Sequence, residues 1–147
     1  MKKMMALCLA ALMLGATVSA NPSTLVNEKV LKVFHAAFPD AKQTTWYTYD
    51  NYYEVYFKDT PGSSCRIDYT PDGDVISTTR YYTGEELSPS LRAHVSRKFP
   101  GKSIYGVTEV SDQEKVTYHL VLEDSTNWYN VDADATGNLR LVQKLDK

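Results

Sequence analysis

Apolar residues recur along this chain with two periods, and each period occurs twice. Val30, Phe34 and Phe38 fall four apart, as do Leu91, Val95 and Phe99, so each trio marks one buried stripe of a helix. Asn27 precedes the first stripe and Ser88 the second as N-cap residues, with Pro89 in the first helical position. Ser23 is a second candidate start for the first helix. Pro39 and Pro100 end both helices, because the residue before a proline is pushed out of helical geometry.

Alternating, β-rich segments follow each helix. The first set spans Gln43–Tyr49, Tyr52–Lys58, Ser64–Tyr69 and Asp74–Tyr82. The second spans Ser103–Val110, Lys115–Glu123, Asn127–Ala133 and Asn138–Leu145. Asp50-Asn51, Thr60-Pro61-Gly62, Pro71-Asp72-Gly73 and Thr136-Gly137 are short turn-rich links, which favour antiparallel neighbours. The two sets also align with each other. Phe38-Pro39 matches Phe99-Pro100, Tyr53 to Phe57 matches Tyr118 to Leu122, and Ile67-Asp68 with Gly73 matches Val131-Asp132 with Gly137. The expectation is an α+β chain: a tandem duplication of a helix plus a four-stranded antiparallel unit, forming one sheet with helices on one face. Residues 21–86 make the first repeat and 87–147 the second, within one compact domain.

The first twenty residues read differently. Lys2 and Lys3, the apolar run Met4 to Leu14 and the small residues Val18-Ser19-Ala20 have the order of a secretory signal peptide. The apolar run is shorter than the roughly 20 residues that cross a bilayer. Cleavage after Ala20 predicts a periplasmic or secreted protein with no membrane anchor. Loss of Lys2 and Lys3 takes the 16 basic residues to 14 against 18 acidic ones, a net charge of −4. That balance argues against nucleic acid as a partner. Only Cys65 remains beyond the signal, so no internal disulfide forms, and a small buried apolar residue is its simplest role.

Phe38-Pro39, Trp46, the run Tyr52-Tyr53-Glu54-Val55-Tyr56-Phe57 and the Asp68 to Gly73 turn, with Phe99-Pro100, Tyr118 and Asp132 to Gly137 in the second copy, resemble the exported PepSY-like family described as β-lactamase-inhibitor-like. Val107 stands where the first copy has Trp46. The resemblance implies an eight-stranded antiparallel sheet built from tandem units, and an open aromatic face as the docking surface. The disulfide-forming cysteines of a lactamase inhibitor of this plan have no counterparts here, so inhibition of a lactamase is not implied. Architecture alone does not assign activity.

Strand alternation separates the two faces. With Tyr53, Val55 and Phe57 towards the helices, Glu54, Tyr56 and Lys58 point away. The same parity puts Trp46, Cys65, Ile67, Tyr118, Leu120, Leu122, Tyr129 and Val131 inward. The outward set is Tyr47, Tyr49, Tyr56, Arg66, Tyr82, His119, Trp128 and Arg140, with Arg80 and Val121. Tyr, Trp and Arg are the residues enriched at interface hot spots. The set therefore predicts a non-catalytic binding module, inhibitory in one version, that docks a protein or peptide. A glycan-binding module of the cell envelope is the alternative, since tyrosine and tryptophan surfaces stack on sugar rings. A hydrolase with carboxylates that meet only in space is the third.

Catalytic and metal motifs are incomplete. Asp132 to Asn138 resembles half of a calcium loop, but Gln143 stands at the position that demands glutamate, and strands rather than helices flank it. A hairpin turn is the simpler reading, and no metal or cofactor is expected. Cys65 and His119 fall on opposite faces, so they form no nucleophilic pair. His35 and His94 lie on helices without carboxylates at ligand spacing, and the G-x-S-x-G, H-E-x-x-H and phosphate-loop patterns are absent.

Overall fold

The structure, a computed structural model, describes residues 21–22, 25–59 and 62–147. The signal-peptide reading of residues 1–20 lies outside the described residues. Helix α1 spans Glu28–Ala37 and α2 spans Pro89–Lys98. Both begin as their caps dictate: the Asn27 side chain accepts from Lys29 N at 2.8 Å, and Ser88 Oγ accepts from Leu91 N at 3.3 Å. Both end alike, with the N–H of Phe38 and of Phe99 donating to Phe34 O and Val95 O, each at 2.8 Å.

The strands are β1 (Asn21–Pro22), β2 (Lys42–Thr48), β3 (Tyr53–Lys58), β4 (Ser64–Tyr69), β5 (Val75–Tyr82), β6 (Ser103–Asp112), β7 (Val116–Glu123), β8 (Asn127–Asp134) and β9 (Leu139–Asp146). They lie in one antiparallel sheet in chain order, with α2 spanning the β5–β6 connection. The eight long strands match the expected segments to within two residues at each end; β1, a two-residue edge piece on Tyr47 and Thr48, was not expected.

Cross-strand partners share a face, so the register tests the parity. One row crosses eight strands less one: Phe57, Cys65, Arg80, Glu109, Tyr118, Ala133 and Leu139. Phe57 and Cys65 pack with Val30 and Phe34 of α1, while Ala133, Leu139 and Tyr118 pack with Leu91 and Val95 of α2. Both helices therefore cover the same face, each over its own repeat. The core is two clusters. In the first, Phe34 meets Phe57, Trp46 and Phe38 at ring distances of 5.1, 5.2 and 5.6 Å. In the second, Val107 occupies the place of Trp46, and Tyr82, Leu87, Leu120, Leu122, Tyr129 and Val131 surround Leu91 and Val95.

The hairpin turn after β4 tucks under α1 and the one after β8 under α2. Gly73 (φ 89°) touches Val33 and Gly137 (φ 90°) touches His94, so a side chain at either would meet helix atoms. The repeat therefore holds down to the contacts of its turn glycines.

Candidate functional site

The helix-free face is assembled from rows of outward residues. One row is Thr45, Tyr56, Arg66, Thr79, Val110, Thr117 and Asp134; the next is Ser64, Tyr81, Thr108, His119, Asp132 and Arg140. Tyr47, Glu54, Asp68 and Ser77 form a third, and Glu123, Trp128 and Leu145 a fourth. Of the residues expected on this face, Tyr47, Tyr56, Arg66, His119, Trp128 and Arg140 lie there. Tyr49, just past β2, joins them by donating its hydroxyl to Glu54 Oε1 at 3.3 Å.

Tyr82 does not. It is 6% exposed in the core under α2, and its hydroxyl donates to Glu109 Oε2 at 2.6 Å. Arg80 likewise faces the helices, 3.8 Å from Glu86 and with its guanidinium 5.1 Å from the centre of the Tyr82 ring. The cause is a β-bulge. Between Asp68/Tyr69 and Ser77/Val75 the ladder shifts by one residue, with Ile76 as the extra one. A bulge inverts the face of everything beyond it, so the outward ring of β5 is Tyr81, at 44% exposure. A second bulge, between Ile104 and Gly106 in β6, leaves Tyr105 as the extra residue. Its ring, 62% exposed, packs edge-on against Trp128 at 4.9 Å. Neither Tyr81 nor Tyr105 was in the expected set, and alternation alone carries no signal for them.

The first-repeat half of the face holds a polar network among rings. Glu54 and Asp68 are cross-strand partners, and Arg66 lies 3.7 Å from a carboxylate oxygen of each. Ser77 donates to Asp68 Oδ2 at 2.7 Å. Glu54 is 7% exposed although neither α1 nor α2 covers it, because Tyr47, Tyr49 and Tyr56 stand around it. Burial, then the negative charge of Glu54, push the Tyr49 hydroxyl up to about 12. Arg66 Nε and Asp68 Oδ1 are buried without a hydrogen-bond partner among the described residues. The carboxylate pair is one that sequence spacing did not reveal, and Arg66 bridges it.

In the second half, His119 Nδ1 donates to Asp132 Oδ1 at 2.7 Å and Arg140 donates to Asp132 Oδ2. Thr79, Thr108, Val110 and Thr117 lie between the two ringed ends. The face is thus an aromatic and charged surface with a small-residue centre. It contains no constellation of nucleophile, base and oxyanion donors among the described residues.

Other candidates resolve on the helix side. Cys65 is 3% exposed in the α1 core, where burial pushes its thiol up. His35 is exposed, and His94 meets Gly137 O at 3.2 Å. The Asp134 carboxylate is spent on its own hairpin, accepting from Thr136 N at 2.9 Å and Asn138 N at 3.0 Å and from both side chains. Those hydrogen bonds hold it well below the usual carboxylate range. No helix among the described residues is long and apolar enough to cross a membrane.

No protein-family model matches the chain, and no curated protein matches it. Solved structures do. A BLIP-like protein from Bacteroides fragilis is 13% identical, with a TM-score of 0.60 over 88% of this chain and 89% of its own. A DUF2874 family protein from Bacteroides ovatus is 16% identical, with a TM-score of 0.59 over 84% of this chain and 89% of its own. A protein from Bacteroides eggerthii, conjecturally periplasmic by name, is 16% identical, with a TM-score of 0.57 over 83% of this chain and 89% of its own. None of these three names is that of an enzyme. At such identities the likeness is one of fold, and the architecture of this chain is BLIP-like.

Proposed function

We propose that the protein is an exported, non-catalytic module that docks a protein or peptide on its helix-free sheet face. The tandem PepSY-like repeat, in this reading, is the frame that holds the face open. One observation carries the proposal: Tyr56, Arg66 and Trp128 share the side of the sheet that neither α1 nor α2 roofs. Rings and a guanidinium on an open face supply large apolar area and hydrogen bonds at low entropic cost. The BLIP-like name of one structural neighbour and the conjectured periplasmic place of another agree with an exported binder.

The ring geometry favours a protein over a glycan. Tyr47 and Tyr56 meet at 84° and Tyr105 and Trp128 at 77°, so neither pair offers the coplanar platform that a sugar ring stacks on. Tyr49 and Tyr52, at 7°, are a stacked pair whose faces cover each other.

The test is affinity capture from envelope extracts followed by titration of the purified partner. Tyr56→Ala with Trp128→Ala is expected to abolish saturable binding while the thermal midpoint stays within a few degrees. Tyr81→Ala is expected to weaken binding without loss of stability. Tyr82→Phe is expected to leave binding intact and to cost ~1–2 kcal/mol of stability through the orphaned Glu109. Undiminished capture by the double variant, or retardation in polysaccharide gels instead, would reject the docking face.

A further inference from the structure

Where the first repeat hands over to the second, three elements converge on one open cleft. The β5–α2 loop contributes Glu85, α2 contributes Arg92 and Ser96, and the start of β6 contributes Lys102, Ser103 and Ile104. Its volume is about 490 Å³. Small-molecule sites commonly span roughly 300–1,000 Å³. The walls are held by local bonds and packing. Glu86 N donates to Thr83 O at 3.1 Å and Leu87 N to Gly84 O at 3.3 Å, so the loop is two overlapping turns. Leu87 anchors it in the core, and Glu86 lies 3.8 Å from Arg80. Gly84 packs directly on β6, where a Cβ would stand 2.7 Å from Ile104 Cβ. Glu85 therefore sits between two pinned neighbours. Ser96 follows Arg92 by four residues and shares its side of the helix.

The charges on these walls differ in how far they are engaged. Lys102 Nζ lies 3.4 Å from an Asp124 carboxylate oxygen and 4.4 Å from the centre of the Tyr129 ring, so its charge is already matched. Glu85 and Arg92 are both exposed. Neither side chain has an ion-pair or hydrogen-bond partner among the described residues, and although they line the same cleft they do not pair with each other. The hydroxyls of Thr83, Ser96 and Ser103, on the same walls, are likewise without partners among the described residues. The cleft thus offers one free carboxylate, one free guanidinium and three free hydroxyls.

One free charge of each sign suits neither a polyanion nor a polycation; it suits a small molecule that carries both. We propose that this cleft binds a short peptide, of two or three residues, by its two free ends. Glu85 accepts from the terminal ammonium, and Arg92 donates to the terminal carboxylate through the paired N–H groups of its guanidinium. The hydroxyls of Thr83, Ser96 and Ser103 pair with the N–H and C=O groups between those ends. Ile104 receives a small apolar side chain. A free amino acid carries both charges on one carbon and leaves most of the volume unused. The cleft lies beside α2 and shares no residue with the open face, so it stands or falls independently of the docking proposal.

The probe is trialanine with both ends free, titrated to millimolar concentration into the full chain and followed by NMR amide shifts. Saturable shifts are expected at Gly84, Glu85, Arg92, Ser96 and Ile104. Acetylating the amine or amidating the carboxylate is each expected to weaken binding about fivefold, the effect of one exposed ion pair. Two variants assign the ends. Arg92→Gln is expected to bind the free-acid and amidated peptides equally while still preferring the free amine. Glu85→Gln is expected to bind the free-amine and acetylated peptides equally while still preferring the free carboxylate. Both side chains are exposed, so the thermal midpoint is expected to stay within a few degrees. Tyr56→Ala with Trp128→Ala is expected to leave trialanine binding unchanged. Absence of saturable shifts, shifts confined to the open face, or equal binding of free and capped peptides by the parent chain would overturn the proposal. So would an equal response to inorganic phosphate, which marks a plain anion site, or to free alanine.

Discussion

Gly137 and Gly73 occupy equivalent turns with nearly the same backbone angle, yet they face different atoms. A Cβ at Gly137 would stand 1.9 Å from His94 Nδ1, whereas one at Gly73 would stand 3.2 Å from Val33 Cγ2. Both pay for a side chain at positive φ, but only Gly137 also forces out an imidazole that meets its carbonyl. Gly137→Ala is expected to lower the unfolding free energy by ~2–4 kcal/mol and Gly73→Ala by ~1–2 kcal/mol, measured by urea titration. Equal losses would mean that His94 swings aside freely. The glycines and their turns are legible in sequence because Asp and Gly report their own local geometry. The imidazole above Gly137 is not, since it comes from a helix 43 residues away.

The hairpin between β7 and β8 is held by one carboxylate. Asp124 accepts from Tyr129 Oη at 2.7 Å, Thr126 N at 3.0 Å and Asn127 N at 2.9 Å, with Lys102 Nζ 3.4 Å away. The Tyr129 hydroxyl first, then the Thr126 amide, hold its carboxyl well below the usual range. A carboxyl depressed by folding contributes stability above its unfolded value, roughly 3.9, and loses that contribution as pH falls towards the folded one. Asp124→Asn is therefore expected to be less stable than the parent at pH 7, with the gap narrowing below about pH 4. Urea midpoints across that range check it; a constant gap would assign the effect to shape rather than charge. At this scale the chain was readable where signals are local: the caps Asn27 and Ser88, the stops at Pro39 and Pro100, and strand limits set by turns. It was unreadable at the bulges of β4–β5 and β6, because an extra residue leaves no mark on composition.

Across the whole molecule, two cores share one sheet. The six pairs between β5 and β6 join the repeats, with Arg80 and Glu109 facing each other on the helix side of that seam. Val55 belongs to one cluster and Val131 to the other, and both are almost fully buried. Val55→Ala and Val131→Ala are each expected to cost ~2 kcal/mol, and their sum to hold within ~0.5 kcal/mol in the double variant, in a single urea transition. Two transitions would show that the seam does not couple the repeats; a clear departure from additivity would show that it transmits strain between the cores.

What the chain determined by itself was the sequence of elements, the duplication and the identity of most core residues, because capping, proline stops and apolar periodicity act over a few neighbours. Tertiary structure alone decided which rings and charges meet on the open face. Facing is a parity accumulated along a strand, so one bulge exchanged Tyr82 for Tyr81 and a second brought Tyr105 onto Trp128. Contacts such as Glu54–Arg66–Asp68 and His119–Asp132–Arg140 arise only when strands from distant positions are set in register. Register is a property of the assembled sheet, where burial of one face selects a single alignment, and no local run of residues encodes it.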